Sequence, residues 1–209
     1  MSHRPTLIVI AGPNGSGKTS LASKVLKHPW VSDCAYINPD NIAKEVFGDW
    51  NSNKAVIQAA NLAEAQREQY LAERSSMAFE TVMSAPDKID FIVRAKQSGY
   101  FIRLFFICTD RPSINAARIA QRVMEGGHDV PIPKIISRYT KSVANCAVAA
   151  SIVDRAYIYD NSIDYAEPRL LFRTSEGKIV KHYVEDHGWA KAISSSLLDV
   201  SQGFQPILK

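Results

Sequence analysis

The chain has 209 residues, of which 46% are hydrophobic and 22% charged, and its formal net charge at neutral pH is +4. These values are typical of one globular domain with a single core, and we interpret residues 1–209 as one domain. The basic residues are spread along the chain without a concentrated run, and no apolar run approaches the ~18 residues that span a bilayer. We therefore expect neither a nucleic-acid partner nor a membrane partner.

Cysteine usage and the N-terminal residues indicate the compartment. Cys34, Cys108 and Cys146 are widely separated and odd in number, which fits neither a disulfide framework nor a metal site, so we interpret them as reduced, mostly buried thiols. The apolar stretch near the N-terminus is too short for a signal peptide and lacks a small-residue cleavage site. These observations predict a cytoplasmic protein.

Short apolar runs alternate with longer helical patterns, which is the signature of a mostly parallel sheet flanked by helices. The five strands expected cover residues 6–11, 34–37, 77–81, 100–109 and 155–162. The helices expected cover residues 18–26, a short segment after Asn38, and residues 53–75, 85–99, 111–127 and 132–153. Towards the C-terminus, the sequence predicts a small hairpin around residues 176–177 and a short helix from Trp189 to about Leu198.

A glycine-rich stretch, "AGPNGSGKTS", separates the first strand from the first helix. It fits the pattern G-x-x-x-x-G-K-[ST] in the strand–turn–helix setting that this motif requires. In such a loop the backbone N–H groups surround phosphate oxygens, the lysine contacts the β- and γ-phosphates, and the hydroxyl that follows binds Mg²⁺. The sequence therefore predicts a nucleoside triphosphate site in a three-layer α/β P-loop NTPase. The residues expected to hold the nucleotide are Gly12, Pro13, Asn14, Gly15, Ser16, Gly17, Lys18, Thr19 and Ser20, with Thr19 as the metal ligand.

Other patterns narrow the class of NTPase. The guanine-reading pattern N-K-x-D is absent, because "NSNKAV" lacks the aspartate, so ATP is the expected nucleotide, although GTP is not excluded. The stretch "EGGHDVP" does not match the L-S-G-G-Q-like pattern of ABC-type ATPases. A kinase-type protein remains, which needs a carboxylate beside the acceptor hydroxyl and a mobile lid that carries arginines.

Two carboxylates follow strands, at the edge of the sheet where parallel sheets bind ligands. Asp40, in "YINPDNIA", could accept the proton of an attacking hydroxyl as a general base, or could cap the helix that follows, a role that Asn38 could also take. Its chemistry alone leaves both roles open. Glu80 could hold Mg²⁺ through water, could bind the acceptor together with Thr81, or could be an exposed residue at a strand end.

Three arginines surround a Gly-Gly pair at residues 126–127. Arg118 and Arg122 are four residues apart and therefore share one helix face, and Arg138 lies on the next expected helix. The glycines permit an abrupt turn, so we expect residues of about 111–140 to form a lid. Arginines that close over the γ-phosphoryl group stabilise its charge and exclude water, so we predict catalytic roles for all three.

Two further stretches carry predictions. The alternating tyrosines before "DNS" are typical of a half-buried strand, and Asp160, Asn161 and Ser162 at its end could line the part of the site that binds the nucleotide base. His128, within the lid, is interpreted as a packing or capping residue rather than as a catalyst.

The stretches "AGPNGSGKTS", "INPDNIA", "FETVMS", "ARIAQRVMEGGHDVP", "SRYTKS" and "AYIYDNS", in this order, resemble the zeta-toxin-like family of P-loop kinases, and its shorter, chromosomally encoded branch in particular. The resemblance covers roughly residues 6–165. It implies ATP- and Mg²⁺-dependent phosphorylation of a small-molecule hydroxyl, such as one of UDP-N-acetylglucosamine, and a small helical antitoxin as partner. Lys18 and Thr19 match the family's phosphate and Mg²⁺ residues.

The resemblance also implies roles for the carboxylates and the arginines. Asp40 matches the family's catalytic base, which follows the second strand. Glu80 matches an acidic residue at the acceptor site. Arg122 and Arg138 are the best matches to the lid arginines, with Arg118 as a third candidate.

Two hypotheses from different classes follow from the sequence. The first is an ATP-dependent small-molecule kinase of zeta-toxin type. The second is a nucleotide-binding regulatory or interaction module that has little or no catalysis and that signals to a partner through closure of its lid. A third, a kinase acting on nucleic-acid ends, is disfavoured by the dispersed basic residues.

Overall fold

Strands and helices alternate along this computed structural model, which describes residues 4–47, 52–127, 129–185 and 188–200, so that His128 lies outside the described residues. The strands are β1 Thr6–Ala11, β2 Ala35–Ile37, β3 Met77–Thr81, β4 Phe101–Cys108, β5 Arg155–Asp160, β6 Arg169–Ser175, β7 Lys178–His182 and β8 Leu198–Asp199. The helices are α1 Lys18–Val25, α2 Pro39–Phe47, α3 Asn53–Glu73, α4 Asp87–Gln97, α5 Pro112–Met124, α6 Ile132–Ile152 and α7 Gly188–Ser194, and a 3-10 turn spans Pro29–Val31.

The strands form one sheet, whose order within the described residues is β2-β3-β1-β4-β5-β6-β7-β8. The first five strands in this order are parallel to one another, whereas β6 and β7 form an antiparallel hairpin. The central position of β1 follows from its sequence, because a continuous apolar run suits a parallel strand that is buried on both faces. Residues 7–11 of β1 have no exposed surface, so the loop that follows β1 begins at the middle of the sheet edge.

Each face of the sheet carries its own hydrophobic core, because successive side chains of a strand point to opposite faces. Leu7 and Val9 of β1 pack in a large core with residues of α2, α3, α4, α6 and α7. Ile8 and Ile10 pack on the other face against Leu21 and other residues of α1. These two cores give the three layers that the sequence predicts.

The predicted fold class, a mostly parallel sheet flanked by helices, is confirmed, but the prediction of about five strands with a separate hairpin is wrong. The hairpin of β6 and β7 pairs with β5 and continues the sheet, which satisfies backbone groups that β5 would otherwise leave at an open edge. The last helix also ends earlier than predicted, at Ser194, because Leu198 pairs with Lys178 in the short strand β8.

Two sequence-based expectations about side chains and helices can be compared with the structure. Cys34, Cys108 and Cys146 are free thiols, and the last two are buried. Burial raises the pKa of the Cys108 thiol to about 12. Among the helices of the described ranges, none has the length and apolar composition needed to cross a bilayer.

Candidate active site

The glycine-rich loop connects the carboxyl end of β1 to the N-terminus of α1. Gly12 lies so close to β4 that a Cβ atom there would be 2.0 Å from the carbonyl oxygen of Ile107. Gly17, which caps α1, has a φ of 96°, a left-handed conformation that side chains disfavour, and a Cβ atom there would lie 2.4 Å from the Asn161 amide. Both positions therefore require glycine.

Two asparagines from other elements hold this loop in place. Asn161, after β5, donates from Nδ2 to the Ser16 carbonyl at 2.8 Å, and Asn115, in α5, donates from Nδ2 to the Asn14 carbonyl at 2.5 Å. Asn115 is fully buried, and its Oδ1 accepts a hydrogen bond from the Thr109 hydroxyl. These bonds engage carbonyl groups of the loop rather than its N–H groups, which are the groups that bind phosphate in such loops.

A cavity of about 780 Å³ opens beside the loop, between α2, α3, the start of α4 and the turn from α5 to α6. The predicted catalytic, metal and substrate residues on its wall are Lys18, Thr19, Asp40, Glu80, Thr81, Arg122 and Arg138. Arg118 is not on this wall. It forms an ion pair with Asp164, with Nη2 2.7 Å from Oδ1, and borders a second cavity of about 440 Å³ together with Gly15 and Asn161. The cavity wall therefore brings together the predicted catalytic, metal and substrate-binding residues, except for Arg118.

Glu80, at the end of β3, is surrounded by hydrogen-bond donors. Its carboxylate accepts from the Tyr36 hydroxyl, from Asn38 Nδ2 at 3.1 Å and from the Thr19 hydroxyl at 3.3 Å. Burial, and then the hydrogen bond to Glu80, raise the pKa of Tyr36, so Tyr36 stays protonated and donates. A carboxylate and a hydroxyl this close are oxygen ligands of the type that Mg²⁺ prefers.

Asp40 lies in the first turn of α2, and its side chain is exposed to the cavity. Asn38, which is buried, accepts the backbone N–H of Asp40 on its Oδ1 at 2.8 Å. Asn38 is therefore the helix cap, which decides the alternative that the sequence left open. Within the described residues, the Asp40 carboxylate makes neither a hydrogen bond nor an ion pair, so it is available to a ligand.

Lys18 folds back over the loop, and its Nζ donates to the Pro13 carbonyl at 2.9 Å. Desolvation lowers the pKa of Lys18 to about 8. The charges of Glu80 and Asp40 act in the opposite direction on this pKa, whereas that of Arg122 also lowers it. An anion bound at Lys18 would favour the protonated amine and raise this pKa again.

Two of the three predicted lid arginines reach the cavity. Arg122 lies in the last turn of α5, just before the turn in which Gly126 has a φ of 89° and the Gly127 N–H donates to the Arg122 carbonyl at 2.9 Å. Arg138, in α6, donates from Nη1 to Asn14 Oδ1 at 3.2 Å. The α5–α6 turn therefore places two guanidinium groups beside the glycine-rich loop.

The loop after β3 forms another wall of the cavity and is held in a rare conformation. Met83 is buried with a φ of 55°, which costs of order 1–3 kcal/mol for a residue with a side chain. Its N–H donates to Thr81 Oγ1 at 3.0 Å, and its carbonyl accepts from Asn145 at 2.9 Å. Ser142 also donates to the Val82 carbonyl at 2.7 Å. Helix α6 thus fixes this wall, and Thr81 contributes to it as a hydrogen-bond acceptor.

Sequence reasoning missed Tyr36 and Asn115, whereas Asn38 was one of its two candidate caps of α2. Asn115 carried a usable signal, because it is a polar residue on the apolar face of an amphipathic helix. Tyr36 carried none, since a tyrosine in a short strand is ordinary.

Solved structures share this fold. A crystal structure of AvrRxo1-ORF1:-ORF2 with ATP matches with a TM-score of 0.65 at 21% identity, over 95% of this chain and 66% of that chain. A structure of the PezAT chromosomal toxin–antitoxin system of Streptococcus pneumoniae matches with a TM-score of 0.59 at 17% identity, over 94% of this chain and 79% of that chain. The chain thus spans about two thirds of the length of the AvrRxo1 structure, and at these identities the likeness shows the fold.

Sequence comparisons give the family. An uncharacterized protein of Haemophilus influenzae is 30% identical over 134 residues, which cover 63% of this chain and 91% of that protein. The model of the zeta toxin family matches residues 1–167, which include the glycine-rich loop, Asp40, Glu80 and the α5–α6 turn. The chain therefore belongs to the zeta toxin family.

Proposed function

We propose that the protein is a P-loop kinase that transfers the γ-phosphoryl group of ATP, in the presence of Mg²⁺, to a hydroxyl of a small molecule. The observation that carries this proposal is one cavity whose wall includes the glycine-rich loop, the unpaired carboxylate of Asp40 and the guanidinium groups of Arg122 and Arg138. The structural likeness to AvrRxo1-ORF1:-ORF2 with ATP supports ATP as the nucleotide.

The nucleotide would lie along the glycine-rich loop, with its phosphates on the N–H groups of the loop and on Lys18. The second cavity borders Gly15, Gly17 and Asn161, so we assign it to the base and the ribose. Arg118 lines that cavity, and we therefore reassign it from the γ-phosphoryl group to the nucleoside end of ATP.

Thr19 and Glu80 fit the expected magnesium ion. The Thr19 hydroxyl would be a direct ligand, and Glu80 would act through a water molecule, oriented by Tyr36 and Asn38. The bound metal supplies charge neutralisation at the β- and γ-phosphate oxygens. The hydrogen bond between Thr19 and Glu80 favours this role for Glu80 over a role in binding the acceptor.

Residues on the cavity wall would accept the proton of the acceptor and stabilise the charges of the reaction. Asp40 would accept the proton of the acceptor hydroxyl while that oxygen attacks the γ-phosphorus and the bond to the β–γ bridging oxygen breaks, which releases ADP. Lys18 would stabilise the negative charge on the leaving diphosphate. Arg122 and Arg138 would stabilise the charge on the equatorial oxygens of the transferred group and exclude water.

The acceptor and the partners follow from the family, and we propose them on that ground. A sugar nucleotide such as UDP-N-acetylglucosamine is the first candidate acceptor, and a cavity of about 780 Å³ lies in the size range of small-molecule sites. AvrRxo1-ORF1:-ORF2 and PezAT are both complexes, so we propose an antitoxin-type protein partner here too. Action on a sugar nucleotide would take place in the cytoplasm.

The test is incubation of the protein with γ-labelled ATP, Mg²⁺ and a pool of cell metabolites, with Lys18→Met as the inactive control. A labelled small molecule other than phosphate, which Lys18→Met does not form, is the expected result. If the wild-type protein binds ATP but labels no metabolite in pools from several sources, it is instead a nucleotide-binding regulatory or interaction module, and the kinase proposal is wrong.

A further inference from the structure

Arg67, in α3, is a buried cation with free donors. Only 6% of its surface is exposed, and its guanidinium lies over the Phe79 ring, with its central carbon 5.2 Å from the ring centroid. Within the described residues, Arg67 makes no hydrogen bond and no ion pair. A guanidinium carries five N–H donors, and because Arg67 lines the large cavity, these donors are accessible to a ligand there.

Two other charged residues, one on α4 and one before β5, have ion-pair partners in the protein. Arg94, in α4, lies over the Phe91 ring at 5.4 Å in the same manner, but it also donates to both carboxylate oxygens of Glu68, at 2.7 and 2.6 Å. Asp154, which is 4% exposed, forms two ion pairs. Arg67 differs from Arg94, whose side chain is 47% exposed, both in its burial and in having no direct ion pair among the described residues. Burial lowers the pKa of Arg67, and the charges of Glu64, Asp87 and Glu68 act in the opposite direction.

The position of Arg67 shows where an anion could bind. Arg67 lines the cavity of about 780 Å³ that also contains Asp40. It also lines a smaller cavity of about 190 Å³ between α3 and α4, which no residue of the glycine-rich loop borders. Glu64 and Asp87 share this part of the wall, but Asp87 pairs with Lys88 and neither carboxylate forms an ion pair with Arg67. We call this part of the large cavity, lined by Glu64, Arg67, Asp87 and Lys88, the α3–α4 end.

We propose that Arg67 binds an anionic group of the acceptor, a phosphate or a carboxylate, and thereby selects negatively charged acceptors whose hydroxyl then lies at Asp40. The planar guanidinium matches the two oxygens of either group. The Phe79 ring lies against one side of the guanidinium, and the cavity that Arg67 lines leaves its donors accessible. This inference rests on the proposed kinase function, because it concerns the acceptor of that reaction.

The test separates acceptors by charge and compares matched variants. Cell metabolites are divided on an anion-exchange resin, and each fraction is assayed with γ-labelled ATP and wild type, Arg67→Met, Arg67→Lys or Arg94→Met. We expect product only from the retained, anionic fraction. We also expect Arg67→Met to need about 10- to 100-fold more of that fraction for half-saturation, while its KM for ATP stays the same. Arg67→Lys, which keeps the charge but not the planar fork, should be intermediate, and Arg94→Met should match wild type.

A binding measurement tests the anion site at Arg67 separately from the kinase function, which would be wrong if no fraction gave product. Inorganic phosphate, and separately acetate, is titrated by calorimetry into wild type that is saturated with Mg²⁺ and a non-hydrolysable ATP analogue. Binding that Arg67→Met weakens at least about tenfold, and Arg94→Met does not, supports the anion site, and the tighter of the two ions identifies its class. Product from the uncharged fraction, formed equally by wild type and Arg67→Met, would overturn the inference and leave the kinase intact. An absence of binding of both ions would overturn the anion site, whatever the kinase assay gives. Thermal melts confirm that each variant is folded.

Discussion

The two ends of the large cavity differ in how far the protein satisfies its own polar groups. At the glycine-rich loop, Asn115 and Asn161 hold loop carbonyls, and Glu80 accepts three hydrogen bonds. At the opposite end, which we call the acceptor side, the Asp40 carboxylate and the Arg67 guanidinium form neither a hydrogen bond nor a direct ion pair within the described residues. The first end is arranged by hydrogen bonds within the protein, whereas these two groups of the second end are open to a ligand.

This difference follows from the ligands that each end would bind. A triphosphate is the same in every reaction cycle, so a loop fixed by hydrogen bonds and close backbone contacts binds it without reorganisation. A kinase must distinguish its acceptor from similar metabolites. It can do so with polar groups of the site that the correct acceptor pairs and that other metabolites leave unpaired, at a cost in binding free energy. If the proposed kinase function holds, the end at the glycine-rich loop, which we call the donor end, would provide affinity, and the acceptor side would provide specificity.

The largest expected effect removes the reactive group of the acceptor side. Asp40→Asn keeps the shape of the side chain but cannot accept a proton, so kcat should fall about 10²- to 10⁴-fold. ATP affinity, measured by calorimetry, should change less than about threefold, because the donor end keeps its own bonds. Asp40→Ala should behave alike, and Asp33→Asn, at an exposed position, serves as the control. Unchanged turnover in Asp40→Asn would remove Asp40 as the base.

The second prediction separates two arginines of the α5–α6 region. Arg138→Met should lower kcat about 10²- to 10³-fold, because it removes a donor to the transferred phosphoryl group. Arg118→Met should instead raise the KM for ATP and change kcat less than about threefold, because Arg118 borders the second cavity. Steady-state kinetics with varied ATP distinguishes the two effects. Equal losses of kcat in Arg138→Met and Arg118→Met would show that Arg118 also acts on the γ-phosphoryl group.

The third prediction tests the donor end through pH. The pKa of Lys18 is about 8 in the free protein, and a bound triphosphate raises it. ATP affinity is therefore complete below the free pKa and is lost as pH rises above it, by about tenfold between pH 7 and pH 9. Calorimetry in buffers of different ionisation enthalpy should detect proton uptake on binding at pH 8.5. Lys18→Met should bind weakly without this slope, and a flat wild-type profile would contradict the prediction.

The smallest effect concerns stability at the donor end. Asn38→Ala removes the cap of α2 and one hydrogen bond to Glu80, so the free energy of unfolding should fall by about 1 kcal/mol. Urea denaturation measures this change. Asn61→Ala, on an exposed position of α3, should change the free energy by less than about 0.5 kcal/mol. Equal effects of both substitutions would show that α2 does not depend on this cap.

The sequence predicts the donor end almost completely, because its signals are local. The strand, the glycine-rich turn and the helix follow one another in consecutive residues. The close approach of Gly12 to Ile107 explains why the turn needs glycine at this position. The arginines show the limit of local reasoning. Arg118 and Arg122 share a helix face, but they lie about one turn apart, a rise of about 6 Å for four residues. That distance is enough to place one at Asp164 and the other in the cavity.

By itself, the sequence determined the family, the glycine-rich loop, the parallel strands and most helix bounds, since periodicity and loop chemistry depend on neighbouring residues. Only the tertiary structure decided that Asn38 rather than Asp40 caps α2, that the hairpin of β6 and β7 extends the sheet, and that Arg67 is buried without a direct ion pair among the described residues. Each of these depends on which groups from distant parts of the chain meet. A local apolar run can predict a buried strand, but the partners of a polar or charged group are set only when the chain is packed.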